Sequence, residues 1–214
     1  MADASTSSTE KEECVKSQYL KNLTQILYSE EDIAAACKRL GAQISLDYKD
    51  KDLVVVGLLR GAFMFQADLV RYITVPHEID FMMLGSYSGT QSHNVKISCD
   101  MRIDPYKKHI LIVEDLIDTG ATLAWLQQHL KTKQSISVRL CTLLDKQTNK
   151  RVKDIKVDYV GFECPDYWIV GYGMDYNQHY RSLPCIGVLD PKIYQNEKIS
   201  IDIKKTEDES KDDK

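Results

Sequence analysis

The chain has 214 residues, of which 43% are hydrophobic and 28% charged, and its formal net charge is −4. Wholesale disorder is excluded, because disordered chains combine low hydrophobicity with high net charge. The acidic balance and the lack of a basic stretch argue against nucleic acid as a partner. The longest apolar stretch, Leu53 to Leu59, is far shorter than the roughly 20 residues of a membrane-spanning helix. The N-terminus also lacks the pattern of a signal peptide, so we expect a soluble, cytoplasmic protein that does not engage a membrane.

Both ends of the chain are polar and charged, which predicts disordered tails over residues 1–17 and 204–214. No internal repeat or long linker interrupts the rest, so we expect one domain over residues 18–198. The six cysteines are scattered without a C-x-x-C pair. This spacing predicts free, mostly buried thiols rather than disulfides or a zinc site.

The pattern of apolar residues predicts alternating helices and strands. Ser29 and Asp32 form a capping-box pattern, and helical spacing continues from there. In chain order the predictions are a helix over 30–45, a strand over 53–59, a helix over 62–73, a strand over 79–83, a strand over 109–113, a helix containing Leu123, Leu126 and Leu130, a strand over 136–144, and short strands near 158–163, 168–171 and 185–189. This alternation predicts an α/β fold, with a mostly parallel twisted sheet and helices on both faces. Ligands of such folds bind at the carboxyl ends of the strands.

The most informative stretch follows the predicted strand 109–113. Two adjacent acids, Glu114 and Asp115, come directly after it. They repel one another, and burying either ion without a partner would cost several kcal/mol. The pair therefore indicates a ligand that donates hydrogen bonds, such as sugar hydroxyls, or a hard cation such as Mg²⁺.

A phosphate-binding turn is predicted immediately beyond the acids. It consists of Asp118, Thr119, Gly120, Ala121 and Thr122. These residues supply backbone amides, two hydroxyls and an unobstructed glycine at a helix N-terminus, where the helix dipole favours anions. In a competing interpretation Asp118 and Thr119 only cap the helix, which leaves the two acids unexplained. Neither a G-x-x-x-x-G-K-[ST] motif nor a G-x-G-x-x-G after a strand occurs, which disfavours nucleotide triphosphatases and ordinary dinucleotide-binding proteins.

The stretch VEDLIDTGATL, residues 113–123, closely resembles the phosphoribosyl-diphosphate motif of type I phosphoribosyltransferases, in the form used by hypoxanthine-guanine phosphoribosyltransferases. Four further matches occur in the family's order along the chain, two before this stretch and two after it, at residues 59–61, 86–87, 144–146 and 168–181. The likeness spans about residues 20–195. It implies the type I phosphoribosyltransferase fold, with a core over about 50–165 and a small hood built from about 20–50 and 165–195.

The resemblance implies an enzyme of purine salvage. Such an enzyme transfers the 5-phosphoribosyl group from phosphoribosyl diphosphate to hypoxanthine or guanine, giving IMP or GMP and diphosphate. The resemblance also implies Mg²⁺ as the cofactor and a homodimer or homotetramer as the assembly.

Around the sugar, the resemblance implies that Glu114 and Asp115 bind the ribose diol, directly or through Mg²⁺. Residues 118–122 would bind the 5′-phosphate. Asp118 would also exchange the proton on the imidazole side of the purine, which makes it the expected catalytic residue.

For the purine, the resemblance directs Lys146 at the 6-oxo group, lays Trp168 flat against the ring and aims the backbone of Ile169 at the base edge. Asp175 lies near the base and would hold a second Mg²⁺ on the diphosphate side. The rest of the implied diphosphate site consists of Leu59, Arg60, Gly61 and Arg181, with a non-proline cis peptide between the first two. Ser86 and Tyr87 would form the tip of a lid over residues 85–94.

Other interpretations stay open at this point. Lys146 could be simply solvated, Trp168 could be a core residue, and Asp175 and Arg181 could form surface salt bridges. A non-catalytic regulator of the same fold could sense phosphoribosyl diphosphate or a nucleotide. A receiver domain is disfavoured by the chain length, and a transferase for adenine, orotate or uracil is disfavoured by Lys146 and the segment around Trp168.

Overall fold

The computed structural model describes residues 18–86, 95–149, 151 and 155–195. The predicted tails and most of the predicted lid, including Tyr87, lie outside the described residues. The elements in chain order are β1 (Leu23–Tyr28), α1 (Glu30–Asp47), β2 (Leu53–Leu59), α2 (Phe63–Val70), β3 (His77–Ser86), β4 (Val95–Cys99), β5 (His109–Ile117), α3 (Ala121–Thr132), β6 (Ser137–Lys146), β7 (Tyr159–Cys164), β8 (Ile169–Val170) and β9 (Ile186–Leu189).

The main sheet has six strands in the order β4-β3-β2-β5-β6-β7. All neighbouring strands run parallel except β4, which pairs antiparallel with β3 at the edge. The first six residues of β2 are buried, as expected for an apolar strand with a neighbour on each side and helices on both faces. The predicted mostly parallel sheet is confirmed.

The helices cover the sheet on both faces because inward-facing residues alternate along each strand. On one face, α1 and α2 pack on residues such as Val55, Leu111 and Leu143. On the other face, α3 packs on residues such as Val56, Ile112 and Leu140. The predicted capping box is present at the start of α1, where Ser29 Oγ accepts from Asp32 N and Ser29 N donates to Asp32 Oδ2.

A second, antiparallel sheet joins the two ends of the described chain in the order β1-β9-β8. It supplies the hood expected beside the parallel core. The five cysteines within the described residues are free, and all but Cys99 are buried. No helix in the described part of the chain is long and apolar enough to cross a bilayer.

The strand β5 is longer than the apolar run that predicted it, because it continues past residue 113 to Ile117. Its pairing with β2 ends at Gly57 and Val113, whereas its pairing with β6 continues from Glu114 to Ile117. One neighbouring strand therefore keeps the backbone extended through the two acids. Beyond that point β2 pairs only with β3, so the sheet opens between β2 and β5.

Candidate active site

The opening between β2 and β5 coincides with the point where the strand order reverses. From β2 the chain proceeds to β3 on one side, and from β5 it proceeds to β6 on the other. Such switch points at the carboxyl ends of parallel strands are the usual ligand sites of open α/β sheets. A cavity of about 350 Å³ lies here, lined by Asp115, Leu116, Asp118, Lys146, Trp168, Ile169, Met174 and Asp175. The structure thus brings together six of the residues predicted to form the site.

The two acids of β5 lie in an environment that disfavours their charge. Glu114 Oε2 is buried and has no hydrogen-bond partner. Burial, reinforced by the charge of Asp115, raises the pKa of Glu114 well above its usual value. Burial also raises the pKa of Asp115 to about 6, although the backbone amide of Leu116 and the charge of Arg181 act in the opposite direction. An unsatisfied buried carboxylate oxygen is costly, and it indicates that a ligand completes the site.

Two glycines allow the backbone to close around Asp115. A Cβ at Gly61 would lie 1.9 Å from Asp115 Oδ2, and a Cβ at Gly173 would lie 2.1 Å from the Gly61 carbonyl oxygen. Gly173 also has a φ of +99°, which other residues rarely adopt. The turn after β2 can therefore approach the acids only because neither position carries a side chain.

Within the predicted phosphate turn, a glycine rather than a residue with a capping side chain precedes the helix. Gly120 is the N-cap of α3, with a φ of 76° and no side-chain cap hydrogen bond. Neither Asp118 nor Thr119 is therefore the N-cap residue of α3. Thr119 Oγ1 accepts a long 3.4 Å bond from Ala121 N, while Asp118 is exposed at the cavity. Of the predicted phosphate turn, Asp118 lines the cavity.

The residues present fit Mg²⁺ better than a metal with an all-protein cage. Within the described residues, no group of three or more His, Cys, Asp or Glu side chains could hold a metal ion by itself. Mg²⁺ usually binds one or two carboxylates together with water and substrate oxygens. The unpaired Glu114 Oε2 and the neighbouring Asp115 offer that number and kind of donor.

The purine-side residues come from three different segments. Lys146, at the end of β6, donates a 3.1 Å bond to Asp166 Oδ1, and only 12% of its side chain is exposed. Lys146 is therefore not simply solvated. Trp168 is 44% exposed, so it is not a core residue either. Its ring stacks on Tyr194, with the centroids 4.9 Å apart and the planes 20° apart.

The diphosphate-side residues are tied to one another. The peptide bond between Leu59 and Arg60 is cis. Arg181 Nη2 lies 2.7 Å from Asp175 Oδ1, so these two residues form a salt bridge. Ser86 is the last residue of β3, and Tyr87 lies outside the described residues.

Three residues beside the site were missed by sequence reasoning. Asp166 contacts Lys146 and Tyr194 contacts Trp168, and no local sequence pattern predicts such contacts. Arg151 donates to the Asp145 carboxylate and, over 3.0 Å, to the Lys146 carbonyl oxygen. The sequence does not predict these contacts of Arg151, because a single basic residue in a polar loop forms no recognisable pattern.

A larger cavity of about 680 Å³ lies between α1 and α2. Its polar lining includes Asp68, whose carboxylate accepts a 2.6 Å bond from Tyr172 Oη, and Arg71, 4.0 Å from Asp68. None of the predicted site residues lines it. The smaller cavity at the sheet opening is therefore the candidate active site.

The chain is similar to known phosphoribosyltransferases over most of its length. A family model described as "Phosphoribosyl transferase domain" matches residues 24–177. The chain is 48% identical over 172 residues to hypoxanthine phosphoribosyltransferase of Haemophilus influenzae, and the matched region covers 78% of this chain and 96% of the relative. It is 45% identical over 177 residues to a hypoxanthine-guanine phosphoribosyltransferase of Staphylococcus aureus, which covers 82% of this chain and 98% of the relative. The crystal structure of a hypoxanthine phosphoribosyltransferase from Staphylococcus aureus gives a TM-score of 0.79 at 43% identity, covering 82% of this chain and 96% of that chain.

Proposed function

Because the chain belongs to the phosphoribosyltransferases, in the hypoxanthine-guanine phosphoribosyltransferase family, we propose that it is a transferase of purine salvage. It transfers the 5-phosphoribosyl group from phosphoribosyl diphosphate to hypoxanthine or guanine, and it releases diphosphate together with IMP or GMP. The enzyme acts in the cytoplasm as a homodimer or homotetramer, as the resemblance implies.

The observation that carries this proposal is the composition of the 350 Å³ cavity. It collects a sugar-binding carboxylate, a carboxylate for proton transfer, an ammonium group and an exposed tryptophan, namely Asp115, Asp118, Lys146 and Trp168. A reaction between a sugar diphosphate and a purine requires groups that bind the sugar and groups that bind the purine around the same reacting carbon. Holding both reactants in line supplies much of the rate enhancement of such a transfer.

At the sugar, Glu114 and Asp115 bind the ribose diol, and their charge favours the oxocarbenium character of the ring in the transition state. The amides and hydroxyls of residues 118–122 bind the 5′-phosphate. The same two acids and Asp175 are the residues that would hold Mg²⁺. When bound, Mg²⁺ supplies positive charge that offsets the charge of the departing diphosphate.

At the purine, Asp118 takes the proton from the imidazole side of the base as the new bond to the sugar forms. Lys146 donates to the 6-oxo group, and the backbone of Ile169 binds the base edge. Because a lysine offers only donors, it pairs with a keto oxygen and faces the amino group of adenine unfavourably. The exposed face of Trp168 stacks on the ring.

At the diphosphate, the turn at Leu59, Arg60 and Gly61 presents its backbone, while Arg60 and Arg181 supply charge-assisted hydrogen bonds. Ser86 and Tyr87 close over the reacting carbon and exclude water.

Steady-state kinetics with hypoxanthine, guanine, xanthine and adenine, in the presence of phosphoribosyl diphosphate and Mg²⁺, test this function. We expect release of diphosphate with hypoxanthine and guanine and very poor turnover with adenine, while the xanthine rate defines the breadth of the specificity. Efficient turnover of adenine would contradict the role of Lys146. Binding of phosphoribosyl diphosphate without any turnover would instead favour the regulator, for which the relatives offer no support.

A further inference from the structure

The turn over residues 175–181 carries an amide side chain that the proposed reaction does not use. Gln178 Oε1 accepts two hydrogen bonds, one from Arg60 Nη1 at 2.9 Å and one from Arg181 Nη2 at 3.1 Å. Gln178 and Arg60 are 118 residues apart in sequence. A single oxygen thus joins the turn after β2 to the turn before β9.

The backbone holds this amide in place. Tyr176 and His179 form an antiparallel bridge, with hydrogen bonds of 3.3 and 2.9 Å between their backbones. The two residues inside the bridge, Asn177 and Gln178, have φ values of 49° and 66°, as in the type I′ turns of tight hairpins. Gln178 N also donates a 2.8 Å bond to Asp175 Oδ2. The side chain of Gln178 therefore projects from a constrained hairpin rather than from a loose loop.

Arg181 is fixed by several partners at once. Its Nη1 donates a 2.6 Å bond to the Gly173 carbonyl oxygen, and its Nη2 contacts both Asp175 and Gln178. Arg60 is exposed and reaches the same amide oxygen from the other side. Given these bond lengths, the two guanidinium nitrogens lie no more than about 6 Å apart. We call Arg60, Asp175, Gln178 and Arg181 the arginine cluster.

Two like charges at such a separation repel one another, so the arrangement needs an acceptor between them. A neutral amide oxygen satisfies one donor of each guanidinium without removing the net positive charge. The remaining donors of a guanidinium fork are suited to phosphate oxygens. Asp175 pairs with one of the two charges, so the cluster keeps a net positive charge and is preorganised for a phosphate group.

We propose that Gln178 is a positioning residue that holds Arg60 and Arg181 together as paired donors for the diphosphate group. This inference rests on the proposed function, in which the two arginines bind diphosphate. Gln178 acts through the arginines and does not touch the reacting atoms.

The test compares two substitutions at this position. Gln178→Met keeps the length of the side chain and removes the acceptor, whereas Gln178→Glu keeps an acceptor oxygen in the same place but adds a negative charge. We expect Gln178→Met to raise the KM for phosphoribosyl diphosphate and the Kd for diphosphate with Mg²⁺ about tenfold. This factor corresponds to the loss of one charge-assisted hydrogen bond between an arginine and diphosphate. The KM for hypoxanthine and kcat should change less than about threefold. Gln178→Glu should also weaken the binding of diphosphate, because its negative charge offsets part of the positive charge of the two arginines, and it should leave the KM for hypoxanthine within about threefold of the parent.

The matched control is Gln128→Met, which makes the same chemical change at an exposed position of α3. It should leave every constant unchanged. The inference is overturned if Gln178→Met binds diphosphate as tightly as the parent, or if Gln178→Met raises the KM for hypoxanthine as much as the KM for phosphoribosyl diphosphate.

The Kd for diphosphate is measured by calorimetry at equilibrium and does not depend on turnover. A parent chain that binds diphosphate but forms no IMP would refute the proposed function and still decide the role of Gln178. A parent chain that forms IMP, with no difference between Gln178→Met and the parent, would refute only the inference.

Discussion

The two acids of β5 and the arginine cluster lie close together at the opening of the sheet, and their charges are compensated in different ways. Glu114 Oε2 is buried without a partner, and the pKa values of both acids are raised by burial. In the arginine cluster, by contrast, Asp175 pairs with Arg181, and both arginines donate to Gln178. Glu114 thus depends on a ligand for its compensation and Asp115 is only partly compensated, whereas the arginines are already held by other side chains.

This difference has consequences for binding. Buried acids whose charge is not fully compensated destabilise the free protein at neutral pH, and a ligand or cation that pairs with them recovers that free energy on binding. The arginine cluster destabilises the free protein little, but Arg181 must share or exchange its contacts when diphosphate arrives. The two regions should therefore respond differently to mutation, and three predictions follow in order of decreasing effect.

The largest effect is expected at Asp118, which lies beside the acids. Asp118→Asn should lower kcat by about 10²–10⁴-fold, because it removes the group that accepts the purine proton. The KM values for both substrates should stay within about threefold, since the amide keeps the size and polarity of the side chain. Steady-state kinetics measure both constants, and an equal loss in kcat and in substrate affinity would argue against the proton-transfer role.

An intermediate effect is expected for the stability of the Asp115→Asn variant. Asp115 has its pKa raised from the ordinary value of 3.8 to about 6, so the folded state binds the proton more tightly than the unfolded state. The free energy of unfolding therefore falls as pH rises from about 4 to 6, and the penalty is complete above pH 6. Asp115→Asn should be more stable than the parent by about 1–3 kcal/mol at pH 7.5 and equally stable near pH 3.5, although it loses activity.

Urea unfolding at the two pH values, without divalent cations, checks this prediction. The control is Glu163→Gln, which neutralises an exposed carboxylate of β7 and should change the free energy of unfolding by less than about 0.5 kcal/mol. A parent and an Asp115→Asn variant of equal stability at pH 7.5 would mean that the acids are already compensated in the free protein. The contrast with the arginine cluster would then disappear.

The smallest effect is expected at Tyr194, whose ring stacks on that of Trp168. Stacked aromatic pairs contribute about 0.5–1.5 kcal/mol beyond their buried area. Tyr194→Ala should therefore raise the KM for hypoxanthine about two- to tenfold while leaving the KM for phosphoribosyl diphosphate unchanged. Tyr194→Phe keeps the ring and should behave like the parent. If the alanine variant affected both KM values equally, Tyr194 would serve the fold rather than the purine site.

The alternation of apolar strands and helices could be read from the sequence because it depends on local periodicity. The strand over 53–59 was predicted with the bounds that β2 has, since it is a continuous β-branched and leucine-rich run. The strands β1 and β4 were missed, because both are largely exposed and so lack a continuous apolar run. The extension of β5 through Glu114 and Asp115 was missed for a related reason, since it depends on continued pairing with β6.

The residues of the candidate site likewise fall into those predicted from local sequence and those identified only by long-range contacts. Glu114, Asp115 and residues 118–122 lie close together in the sequence, so the local pattern alone predicts a strand end, a turn and the start of a helix, together with their chemistry. By itself, the sequence determined this local unit, the fold class and, through five motifs in order, the family. Only the tertiary structure decided that Gln178 joins two arginines, that Asp166 holds Lys146 and that Tyr194 supports Trp168. These contacts link segments far apart in the chain, and a single polar or aromatic residue in a loop carries no periodicity that would reveal its partner.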